Sequence, residues 1–196
     1  DKMVVNRARR LERFMSQPLP RLVSEFVDSF VAALAVVADP ALKPFIDDLR
    51  GVAAAQAKPI EIRASDHPAV RFLDSALGAQ RAEERLCSAV RAIAPELCFG
   101  SSYAREGKLA AIGQGMVWSE IAGPNGLVRD PSRRLGLMLL APQLHYPLHG
   151  HVADEIYFVL SGTLAVEHGF DGKRVAPAPG GCYRTPSGQA HALHVG

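Results

Sequence analysis

The apolar residues of this chain repeat at two different periods, and the change between them near residue 98 limits the fold more than any other feature. Before it, Leu22, Val23, Phe26, Val27, Phe30, Val31 and Leu34 recur at intervals of three and four, the stripe of an amphipathic helix. Pro18 and Pro20 stand where a helix start tolerates proline, and Asp39-Pro40 reads as a stop and restart. A second helix turns Leu42, Phe45, Ile46 and Leu49 inward until Lys58-Pro59 breaks it. Ser65-Asp66-His67-Pro68 reads as an N-cap with proline in the first turn, continued by Val70, Leu73 and Leu77. Leu86, Val90 and Ile93 mark a further helix.

Beyond the change, short apolar runs alternate with Gly, Pro and Asp turns, as in a small all-β unit. The expected strands are Leu109–Ile112, Met116–Ile121, Leu135–Leu140, Glu155–Leu160, Thr163–Glu167, Lys173–Ala176 and His191–Val195. Asp171-Gly172 is a hairpin turn, and Ala122-Gly-Pro-Asn-Gly126 a loop. The expected class is therefore α+β, with a helical N-terminal region over residues 1–104 packed on a β unit over 105–196. No Gly/Ser-rich linker separates them, and Gly100–Gly107 is too short for independent motion. The helical half also offers a surface for a homodimer.

Charge and composition narrow the partners. A net charge of +2 gives no grip on nucleic acid or an anionic membrane. Arg7, Arg9 and Arg10 read as a solvated helix face, since no helix-turn-helix signature accompanies them. The longest apolar run, Phe30 to Ala38, is far below the roughly 18 to 20 residues of a spanning helix. No secretory signal is visible, and the chain opens on Asp1 rather than Met, so its true start is expected to be missing. The three cysteines Cys87, Cys98 and Cys182 form no C-x-x-C pair, which suits a reducing cytoplasm.

Of seven histidines, all but His67 fall between His145 and His194. Imidazoles usually need company to bind metal. His149-Gly150-His151 puts two of them on one face of a strand, and Glu155 and Tyr157 share that parity across an expected turn near Val152–Asp154. A carboxylate with several imidazoles suits a divalent transition metal such as Fe, Mn, Co, Ni, Cu or Zn.

The stretch from His149 to Gly162, H-G-H-V-A-D-E-I-Y-F-V-L-S-G, resembles the first cupin motif, H-x-H-x3-E-x6-G. The stretch from Gly180 to His191, G-G-C-Y-R-T-P-S-G-Q-A-H, resembles the second, G-x5-P-x-G-x2-H. The resemblance implies a double-stranded β-helix barrel with a metal held by His149, His151, Glu155 and His191. Gly162, Gly180 and Gly188 then make sense as turn residues with positive φ. Gln143 stands where the first motif usually opens on glycine, and Val195 where the second often closes on asparagine; neither position ligates metal. Such a barrel normally adds strands after this point, so a shortened C-terminus is expected. His145, His168 and His194 fall outside the ligand pattern and read as surface or supporting residues.

Within the cupins, residues 144–162 are similar to the dimethylsulfoniopropionate (DMSP) lyases, and the helical half with Ala122–Pro131 looks closest to their DddL type. That resemblance implies β-elimination of DMSP to dimethyl sulfide and acrylate. A metal on the substrate carboxylate would acidify the adjacent proton. It further implies Tyr157 as the base, although a phenol ordinarily titrates near about 10. A sulfonium cation calls for aromatic rings, for which Tyr146, Trp118 and Tyr183 are the candidates. Tyr146 has the wrong strand parity relative to His149 unless Pro147 resets it. The rival readings are an iron cupin dioxygenase, which would consume oxygen, and a non-catalytic sensor, which would bind ligand without turnover.

Overall fold

The computed structural model describes residues 18–52, 57–58, 65–78 and 83–196. The Arg7–Arg10 segment and Pro59 lie outside the described residues, and the second helix, expected to run to Lys58-Pro59, ends already at Arg50 with Gly51 as its C-cap. Helix α1, Leu19–Val36, starts from Pro18 with Pro20 in its first turn. It buries Leu22, Val23, Phe26, Val27, Ala33 and Leu34, and leaves Phe30 and Val31 half-buried against the same core. Asp39 then caps a short 3-10 turn, Pro40–Leu42, by accepting from the Ala41 N–H at 2.9 Å. Helix α2, Lys43–Arg50, follows with Phe45, Ile46 and Leu49 only half-buried. His67 accepts from the Ala69 N–H, capping the 3-10 turn Pro68–Phe72 that leads into α3, Leu73–Gly78. Helix α4, Glu84–Ile93, is capped by the Glu83 carboxylate and buries Leu86, Val90 and Ile93 as its stripe requires.

The expected strand at Leu109–Ile112 is instead helical: a 3-10 turn at Gly107–Leu109 runs into α5, Ala110–Gly115. Leu109 and Ile112 do not alternate; they are three apart with two alanines between, and only Ile112 turns inward, against Met116 and Leu144. Nine strands follow: β1 Met116–Gly123, β2 Val128–Arg129, β3 Leu135–Leu140, β4 His145–His149, β5 Glu155–Phe158, β6 Leu164–His168, β7 Lys173–Val175, β8 Cys182–Thr185 and β9 His191–Val195. They form sheets of order β2-β1-β3, β4-β9-β6-β7 and β5-β8, antiparallel except for the β1–β2 pair. Strands β2 and β8, both short, were not expected, and β4, mostly polar with a proline, was expected only as a strand around His149 without bounds.

Helices and sheet share one core. Phe26, Val27, Leu86, Val90 and Ile93 pack with Val117, Ile121, Leu135, Leu137 and Leu139 of β1 and β3. Phe30 meets Phe158 of β5 edge-on at 5.5 Å. Polar groups at the joint are paired: buried Glu120 takes Arg134 at 2.9 Å and the Asn125 N–H at 2.7 Å. Asp130 accepts from the N–H and hydroxyl of Ser132 and from Arg133, whose guanidinium also reaches the Asp48 carbonyl of α2.

Two outcomes follow from this packing. A Cβ at Gly136 would collide with the Ser119 carbonyl across the β1–β3 pair, whereas one at Gly100 meets nothing within 4 Å. Denaturant unfolding should therefore show Gly136→Ala less stable by about 1–3 kcal/mol and Gly100→Ala unchanged or slightly more stable. The Ser132 hydrogen bonds, then Arg133, hold the Asp130 carboxyl down to about 2. Its contribution is present above the ordinary carboxylate range and lost as pH falls through about 2. NMR titration of Asp130 should find that low midpoint, and Asp130→Asn should lower stability at pH 7 but not at pH 2.

Candidate metal centre

The site begins with one strand pair. Strands β4 and β9 pair Tyr146 with Leu193 and His149 with His191, three residues on one strand against two on the other. This bulge at Pro147–Leu148 resets the parity of β4, so Tyr146 and His149 face the same side. The Tyr146 ring accordingly stacks on the His149 imidazole at 4.0 Å. A non-strand turn separates β4 from β5, as expected, but it begins at Gly150 and takes His151 off the strand, so the single strand face expected for His149 and His151 does not hold and the turn brings the second imidazole in. Gly188 closes that turn: at φ +76° its N–H donates to the His151 carbonyl at 2.8 Å. Arg184 adds a two-pronged contact to Asp154 at 3.0 and 2.7 Å. Gly162 and Gly180 also have positive φ, as expected of turn glycines. Gln143 has φ +62°, so glutamine carries there the backbone conformation that glycine adopts most cheaply.

His149, His151 and His191 each offer a ring nitrogen within 4.8 Å of the others. Backbone carbonyls fix two of the rings. The Pro147 carbonyl lies 2.8 Å from His149 Nδ1 and the Gln189 carbonyl 3.0 Å from His191 Nδ1. A carbonyl can only accept, so each Nδ1 carries the proton and each Nε2 presents a lone pair. The Nε2 of His191 is buried and has no partner among the described residues; nor has Nδ1 of His151. Unpaired lone pairs in a buried place are costly unless a cation meets them, so this donor set fits a metal. Burial holds the His149 imidazole below its usual range, and the neighbouring His191 and His151 push the same way, which favours the neutral, ligating form.

Glu155 enters from β5, with Oε2 3.2 Å from His151 Nε2 and 3.8 Å from His191 Nε2. The Tyr157 hydroxyl donates to the same oxygen at 2.7 Å. Burial first, then the Glu155 carboxylate, raise the Tyr157 phenol well above its usual range. Tyr146 is raised likewise by burial and by Tyr103.

The other expected residues divide. Tyr183 is the cross-strand partner of Tyr157, nearly buried, with its ring edge-on to His168 and its hydroxyl unpaired among the described residues. Trp118 lies on β1 in another sheet, bridged to Gly100, and its ring already carries the Arg134 guanidinium at 5.8 Å. His168 takes the Gln189 amide at 2.7 Å; His145 stacks on His194, which contacts Glu167 at 3.0 Å. Tyr103 went unnoticed in the sequence. Its hydroxyl bonds that of Tyr146, and the one signal for it was that it completes the chain's four tyrosines.

A family profile for dimethylsulfoniopropionate lyases matches residues 45–196. No curated protein matches the chain by sequence. Among solved structures, DMSP lyase DddQ from Ruegeria pomeroyi DSS-3 superposes with a TM-score of 0.65 at 21% identity, covering 89% of this chain and 85% of that one. A chain from the crystal structures of DMSP lyases RdDddP and RnDddQII gives 0.59 at 22% identity, covering 86% and 87%. At these identities both show a shared fold.

Proposed function

The chain belongs to the dimethylsulfoniopropionate lyase family, and on that premise we propose that His149, His151, Glu155 and His191 hold one divalent transition metal while Tyr157 acts as the base. The observation that carries this reading is the convergence of three imidazoles, two with fixed lone pairs, beside a hydrogen-bonded Tyr157–Glu155 pair. A bound divalent cation would draw charge from the substrate carboxylate and from the Tyr157 phenol alike, making both protons easier to remove.

The chain's residues supply the rest. Tyr157 Oη, once ionised, takes the proton from the carbon next to the substrate carboxylate. The freed electron pair forms the carbon–carbon double bond of acrylate as the carbon–sulfur bond breaks. Dimethyl sulfide leaves with that bond's electrons as a neutral molecule, so no acid is needed at the leaving group. Glu155 Oε2 accepts from the phenol in the resting geometry and so aims Oη toward the histidines. Tyr146, flat on His149, offers a ring face to the sulfonium, with Tyr183 on β8 as the cross-strand partner of Tyr157. Trp118 could join only if Arg134 left its ring. Burial around Tyr157 keeps water from competing for the proton. The helical region through residue 104 serves as the support of the barrel. No described helix is long and apolar enough to cross a membrane. A cytoplasmic setting is supported by free thiols at Cys98 and Cys182.

Elemental analysis of the purified chain should give close to one transition metal per molecule, and His151→Ala should lose most of it. Retention of full metal by a His149→Ala, His151→Ala double variant would remove the ligand assignment. Tyr157→Phe should keep fold and metal yet lose dimethyl sulfide release by about 10²- to 10⁴-fold. Turnover within about threefold of the parent would exclude Tyr157 as the base. Metal with oxygen uptake, or with ligand binding and no turnover, would favour the dioxygenase or the sensor.

A further inference from the structure

Tyr103 belongs to neither histidine motif, and it sits in the loop that joins the helical region to α5. Its hydroxyl bonds that of Tyr146, and its ring meets Tyr146 edge-on at 5.7 Å and 77°. Tyr146 then stacks on His149. Tyr146 follows an exposed residue and precedes a bulge, so the strand alone leaves its ring a choice of rotamers. The contact with Tyr103 selects one of them.

What fixes Tyr103 lies farther out. Gly113 of α5 packs so close to the loop that a Cβ there would collide with the Ala104 carbonyl. Gln114 donates its amide to the Arg105 carbonyl at 2.9 Å. Behind them stands His67, buried in the helical region. Its Nδ1 accepts from the Ala69 N–H at 3.2 Å, which leaves the proton on Nε2 to donate to the Gly113 carbonyl at 2.7 Å. One neutral tautomer satisfies both bonds. An unbroken run of contacts therefore leads from His67 through Gly113 and Tyr103 to Tyr146 and His149.

We propose that Tyr103 is a positioning residue, which holds the Tyr146 ring over His149, and that the helical region sets its place through His67. Its effect on the reaction rests on Tyr146 facing the sulfonium, as proposed above; the placement of the ring does not. An apolar side chain at 103 could pack against Tyr146 but could not hold its hydroxyl, so Tyr103→Phe isolates the positioning contact.

The test uses the full chain without metal, its histidine ring protons observed by NMR and those of His149 assigned with His149→Gln. A tyrosine ring stacked at 4.0 Å shifts these protons, and Tyr146→Leu gives the unstacked reference. Tyr103→Phe is expected to move them part of the way to that reference, and His67→Ala to move them in the same direction. In the metal-loaded chain, Tyr103→Phe should raise KM for DMSP by about two- to tenfold, the span of one net hydrogen bond, with a smaller change in kcat. If the His149 protons stay at their parent positions in Tyr103→Phe while Tyr146→Leu moves them, the proposal is wrong. A parent that releases no dimethyl sulfide would overturn the lyase chemistry, and the resonances alone would then decide the placement. If His67→Ala does not fold, Tyr103→Phe decides; if it folds with the His149 protons unmoved, the role of His67 is excluded.

Discussion

The antiparallel pairing of β4 with β9 is the constraint on which the site depends. It sets His149 opposite His191, one from each motif, although they stand forty-two positions apart in the sequence. The extra residue at Pro147–Leu148 makes the pair productive. Without the bulge, Tyr146 would point out of the barrel and the Pro147 carbonyl would lie elsewhere. With it, the same carbonyl fixes the His149 tautomer. One local irregularity thus places an aromatic ring, orients a donor atom and turns the strand. Bulges near functional sites commonly act in this way.

The rest of the barrel makes that pairing rigid. Gly188 and Ser187, from the second motif, bond to the carbonyls of His151 and Val152 in the first. Arg184 and Asp154 clamp the same two segments. Outside, the helices cover the face of β1 and β3 and reach β5 through Phe30 and Phe158. The helical region is therefore continuous with the wall that carries Glu155 and Tyr157. Close-packed interiors transmit displacement instead of absorbing it, and that is the physical basis of the proposal that a buried histidine in a helix cap bears on a ring beside the candidate metal centre.

Much of the fold was legible because burial imposes periodicity. The stripe from Leu22 to Val31 and the triplet Leu86, Val90 and Ile93 face one core, as their spacing requires. The strands Met116–Ile121 and Leu135–Leu140 were legible for the same reason. The segment Leu109–Ile112 was misread as a strand, because four residues rich in Leu, Ala and Ile carry no period of their own. Strand β4 was legible only through the parity of its histidine, because its residues line the candidate site and not the core, so its pattern is polar.

The candidate metal ligands stood out as a set because coordination chemistry limits donor types and the turns between donors demand glycine and proline. Those demands are local and leave their mark on neighbouring letters. The resemblance to a lyase family rested on such marks, and the family match agrees with it. What only the tertiary structure decided is how separate segments meet. It returned Tyr146 to the face of His149 through a bulge that no spacing rule contains. It put Trp118 under Arg134 in a different sheet. It brought Tyr103 against the Tyr146 hydroxyl and His67 against the Gly113 carbonyl, both from outside the motifs. Such meetings depend on strand register and on the docking of the helices, and both are settled by the summed burial of many residues, so no single stretch of sequence records them.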